Sequence, residues 1–146
     1  MNLRLLFKRL LYGGSNHLDL IEMKFLEAVL VKLSKQEAQI IEEQLKDLET
    51  VQKTTGNRMV CMWYQESARS PLLEGGDFCL ARLRITEEKK TGHLNLVVYR
   101  GRLQSFEYSR GRPTHEFSIS SVEIRPKKTI SVASAIDRLE HPKEKS

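Results

Sequence analysis

The chain has 146 residues, 40% of them hydrophobic, enough for one core-forming domain that needs neither metal nor disulfide. Its two cysteines, Cys61 and Cys79, sit in the apolar runs Val-Cys-Met and Phe-Cys-Leu, so a disulfide framework and a spaced zinc motif are not expected. The net charge of +5 is uneven: residues 1–57 carry eight basic and eight acidic side chains, whereas 78–128 carry eleven and five, which places the basic surface in the second half.

No apolar run approaches the ~18 to 20 residues of a transmembrane helix, and the expectation is a cytoplasmic protein with buried, reduced thiols. The segment "MNLRLLFKRLLYGG", residues 1–14, is basic and rich in leucine. Arg4, Lys8 and Arg9 interrupt it in a way a signal peptide does not tolerate. It reads as a short basic amphipathic helix docking through Leu3, Leu6, Phe7, Leu10 and Leu11, with a targeting segment as the alternative.

After Gly13-Gly14, Ser15 or Asn16 is placed to cap a second helix. From Leu18 to Leu33 that helix is apolar around most of its circumference, with Asp19, Glu22, Glu27 and Lys32 as polar relief, so it should be largely buried. Ser34-Lys35-Gln36-Glu37 forms a capping box that starts a new helix over 35–49. Ala38, Ile41, Leu45 and Leu48 recur there at three- and four-residue spacing beside Ile40, while Glu42, Glu43, Lys46 and Asp47 face water.

From Met59 the period changes from 3.6 to 2, and five strands are expected: 59–65, 78–85, 93–99, 102–108 and 115–124. Arg100-Gly101 leaves two residues between apolar strands, the spacing of a tight hairpin in which Val98 faces Leu103 and Leu96 faces Ser105. In "FCLARLRI", strict alternation would put Cys79, Ala81, Leu83 and Ile85 on one face and Leu80, Arg82 and Arg84 on the other. Phe117 and Ile119 fall out of phase with Val122 and Ile124 unless a bulge lies at Ser120-Ser121.

The order of elements gives an α+β fold, N-terminal helices packed on one face of an antiparallel meander sheet of about five strands. It occupies 15–126 as a single domain, with 127–146 as a tail.

Catalytic signatures are weak. There is no Gly-x-Ser-x-Gly, and His17, His93, His115 and His141 are too scattered for a local metal motif. Gly75-Gly76 lacks the lysine and hydroxyl of a phosphate-binding loop. No enzyme activity, metal or cofactor is expected.

Binding has more support. Arg82 and Arg84 lie on a strand, and Arg100, Arg102, Tyr108, Arg110 and Arg112 lie at strand ends and turns, interleaved with Trp63, Tyr64, Tyr99 and Phe106. Such a composition suits protein hot spots and single-strand nucleic-acid platforms alike.

The tetrad Arg110-Gly111-Arg112-Pro113 has the core of an AT-hook, but strand-like segments flank it and Glu107 and Glu116 stand close by. It reads as the exposed tip of a hairpin connection. The seven residues Arg82, Arg84, Arg100, Arg102, Tyr108, Arg110 and Arg112 form the expected partner-binding set of a small non-catalytic module. An immunity- or antitoxin-like inhibitor of a toxin domain is its most concrete form. A nucleic-acid-binding module is the alternative, and a homodimer through a sheet edge a further arrangement.

Overall fold

The computed structural model describes residues 17–126 apart from 55 and 115. The expected helix over 1–14 and the tail 127–146 lie outside the described residues, as do Ser15 and Asn16. Two helices, α1 (Leu20–Leu30) and α2 (Lys35–Lys46), precede six strands: β1 (Leu48–Lys53), β2 (Met59–Tyr64), β3 (Phe78–Glu87), β4 (Lys90–Tyr99), β5 (Arg102–Tyr108) and β6 (Phe117–Ile124). The fold is α+β. Among the described residues, no helix is long and apolar enough to cross a membrane.

Local chemistry accounts for most boundaries. The Ser34 hydroxyl accepts the Glu37 backbone N–H at 3.2 Å and starts α2 as the capping box requires. Asp19 occupies the N-cap of α1, with no side-chain bond to the helix backbone. Helix α2 ends at Lys46, earlier than the spacing suggests, because Leu48 belongs to β1. That strand pairs with β2 and places Leu48 opposite Tyr64.

The sheet is antiparallel in the order β1-β2-β5-β4-β3-β6. Meander pairing holds for β3-β4-β5, whereas β2 joins β5 and β6 joins the far side of β3. The β4–β5 turn has positive φ at both Arg100 (49°) and Gly101 (80°), as a two-residue hairpin demands. Val98 faces Leu103 as expected, but a bulge beside it makes Phe106, not Ser105, the partner of Leu96. In β6, Ser121 pairs with Arg84 and Ile119 with Ile85, so Ser120 is the extra residue of the expected bulge.

One face of the sheet carries Val60, Met62, Leu83, Leu94, Leu96, Leu103 and Phe106 against Phe25, Leu26, Val29, Ile41 and Leu45 of the helices, in one hydrophobic core. A bulge in β3 alters its alternation: Leu80 is buried in this core, and Cys79 shares the opposite face with Val97.

Candidate functional site

Both helices pack on the core side, leaving the other sheet face without a described helical layer. This face is open only toward its margins, at Trp63, Arg84, His93 and Glu123; at its centre Val97, Ser105 and Glu107 are buried. Side chains directly opposite in neighbouring strands share a face, so the registers define its rows. One row runs Glu123, Arg82, Asn95, Glu107 and Met59. Beside it runs Cys79, Val97, Ser105, Cys61 and Gln52, and a third row joins Ser121, Arg84 and His93. Trp63 completes the face near the β1 edge. It is 51% exposed, and its indole N–H donates to Gln52 Oε1 at 3.2 Å.

The seven expected site residues divide among three places. Arg82 and Arg84 are on the open face, where Arg82 Nε donates to Asn95 Oδ1 at 3.2 Å and Arg84 is exposed. Arg100 and Arg102 stand at one end of β5, and Arg110 and Arg112 beyond the other, about 20 Å away at the rise of an extended strand. Arg100 is exposed, its guanidinium 5.2 Å from the Tyr99 ring. Arg102 instead clamps the 65–77 loop, donating to the Ser70 hydroxyl and, at 3.3 Å, to the Ser70 carbonyl, while its guanidinium lies 5.6 Å from the Tyr64 ring.

Tyr108 and Arg112 require correction. The segment 109–116 is no hairpin tip but a crossover that carries the chain from β5, past β4 and β3, to β6 on the far side. Tyr108 is 4% exposed and its hydroxyl donates to Glu22 Oε2. Arg112, 16% exposed along its side chain, grips the fully buried Glu22 through Nε and Nη2, both at 3.0 Å, and reaches Asp19 with Nη2 at 3.0 Å. Lys53 pairs with the same Asp19 carboxylate. These groups pin the crossover to α1 and are not displayed to a partner.

Electrostatics follow from that geometry. The Lys53 bond and the nearby Arg112 hold the Asp19 carboxyl below its ordinary range, and the Glu22 bond strengthens the proton affinity of Arg112. Burial, then the neighbouring Glu22, pushes the Tyr108 hydroxyl up, and burial does the same to Tyr64. Cys61 is half-buried on the open face, and burial with Glu107 nearby raises its thiol, which opposes the thiolate form a nucleophile needs. Among the described residues no cluster of histidine, cysteine and carboxylate side chains is arranged to hold a metal.

Three residues escaped the sequence reading, two of them although the periodicity carried them. Glu22 lies three, four and seven residues before Phe25, Leu26 and Val29, on the face that meets the core. Gln44, 0% exposed, sits between Ile41 and Leu48 in the same way; it donates to the Gly101 carbonyl at 2.8 Å and accepts the Leu103 N–H at 3.0 Å. Glu123 was hidden by topology, since only the β3–β6 pairing brings it opposite Arg82. Compared with protein-family models, curated proteins and solved structures, the chain matches none, so its function is argued from this surface alone.

Proposed function

We propose that the chain is a non-catalytic module that binds another protein through the exposed margins of this second sheet face, with Trp63 as the anchor at one end and Arg82, Arg84 and His93 as polar contacts up to about 20 Å along the strands from it. The observation that carries this reading is a half-exposed tryptophan on a sheet face of mixed charge, the composition of a protein hot spot with its polar rim. The partner would offer an apolar pocket to the indole and a rim of both signs to the exposed Glu123, Arg84 and His93 and the half-buried Arg82. An immunity- or antitoxin-like inhibitor is the specific form that small size and an exposed sheet suggest, by analogy of architecture.

The same row counts against nucleic acid as the ligand, because a phosphate backbone laid across Arg82 would meet the exposed carboxylate of Glu123 directly opposite it. Engagement of Arg102 and Arg112 within the fold also lowers the charge available to phosphates.

Affinity capture from lysate with and without nuclease, using wild type, a Trp63→Ala/Arg84→Glu variant and Lys35→Glu on exposed α2, tests the proposal. The expected result is a stoichiometric protein held by wild type and Lys35→Glu, indifferent to nuclease and lost from the sheet-face variant. A partner held equally by the sheet-face variant, or a captured species removed by nuclease and dissociating steeply with salt, would overturn it.

A further inference from the structure

The crossover that removes Arg112 from the surface also borders a solvent-open cavity of about 180 Å3 between residues 110–113 and the β3–β4 hairpin. Its described lining includes Lys90, His93 and Arg110, with Glu87 as the one carboxylate among the described residues. Glu87 is engaged: its Oε2 accepts the Thr114 backbone N–H at 2.8 Å. No described carboxylate lies within ion-pair distance of Lys90 or Arg110. The cavity is several times the about 30 Å3 that one water occupies in the liquid.

Its walls are fixed from both sides. Ser109 and His93 exchange hydrogen bonds, His93 N–H to the Ser109 hydroxyl at 2.8 Å and Ser109 N–H to the His93 carbonyl at 2.9 Å. On the far side of Arg110, the Arg112 N–H donates to the Asn57 carbonyl at 2.7 Å while the Arg112 side chain is locked onto Glu22. Between these anchors the stem of Arg110 lies over Gly92, where a β-carbon would stand 3.3 Å from the Ser109 hydroxyl and in ordinary contact, 3.5 Å, with Arg110 Cγ. Gly111, at φ 90°, makes the bend that a side chain would strain.

We propose that this cavity is a binding site for a phosphate-sized oxyanion, with Arg110 and Lys90 supplying charge and His93 a further donor. The backbone on both sides of Arg110 is held before a ligand arrives, and charge-assisted bonds to an oxyanion are the strong kind. This site shares His93 with the proposed protein-binding face but needs no protein partner, so a failed titration and a failed capture are distinguishable.

The test is an NMR titration of the full chain at constant ionic strength with inorganic phosphate and, in parallel, with phosphoserine as a monoester. Backbone signals of Gly92, Arg110 and Gly111 should shift saturably, and chloride should leave them unmoved. Lys90→Ala/Arg110→Ala, at two exposed positions, should bind at least about tenfold more weakly, the loss expected when charge-assisted bonds are removed. Arg69→Ala, which removes an exposed charge in the 65–77 loop, should bind as wild type does. Tighter binding of phosphoserine would identify an organic phosphate as the ligand, and tighter binding of inorganic phosphate the free ion. Shifts that never saturate with either probe, or equal weakening in the double variant and Arg69→Ala, would overturn the site.

Discussion

A carboxylate with no exposure, set among Met23, Phe25, Leu26 and Val29, needs partners to remain charged, and Glu22 finds them 86 and 90 residues away in Tyr108 and Arg112. Removing one member would leave the other buried and unpaired. Arg112→Ala is therefore expected to cost about 3–5 kcal/mol in urea unfolding, and Glu22→Leu combined with Arg112→Leu distinctly less, since an apolar pair has no stranded charge. Asp19 ionises at lower pH in the folded chain than in the unfolded one, so its contribution is present above the unfolded value and disappears as pH falls through the folded value. Asp19→Asn should flatten stability against pH on that acid limb. Tyr108 has the opposite sign: the unfolded chain loses this proton first, near pH ~10, so stability falls as pH rises beyond it, and Tyr108→Phe should shallow that alkaline loss. Tyr108 and Arg112 stood out in the sequence, but their destination did not, because a buried carboxylate 86 and 90 residues earlier leaves no local mark.

Elements were legible wherever one local rule decides them. The α2 cap, the Arg100-Gly101 hairpin and the Ser120 bulge all follow from residue type and spacing, whereas β1 was obscured because Leu48 completes the helical spacing of Ile41 and Leu45. Helix α2 and the hairpin are then joined by Gln44, whose amide is enclosed by the Pro71 carbonyl, the Gly101 carbonyl and the Leu103 N–H. Gln44→Ala should cost about 1–3 kcal/mol for each group it leaves unpaired, read as a lower urea midpoint with an unchanged slope. Gly101 is constrained twice, by φ 80° and by Leu72 Cβ at 2.8 Å and the Leu73 carbonyl oxygen at 3.0 Å from where a β-carbon would stand. Gly101→Ala should accordingly destabilise the chain and open the 65–77 loop to limited proteolysis, with cleavage faster than in wild type.

Across the whole molecule, the pattern of helices before strands was enough for the α+β architecture, and it was not enough for strand order. Pairing of β2 with β5 and of β6 with β3 joins segments far apart in sequence, and neither pairing has a turn to announce it. Strand order also dispersed the expected arginine surface, leaving Arg82 and Arg84 on the open face, Arg100 and Arg110 at opposite ends, and Arg102 and Arg112 inside internal contacts. The proposed partner surface is the exposed margin of the sheet face opposite the helices, anchored at Trp63. Cys61, half-buried in the row beside Trp63, is a native reporter of that face. Its alkylation rate should be measured in the free chain and in the captured complex: the account predicts marked slowing in the complex, reversed when the partner is removed, and equal rates in both would contradict it.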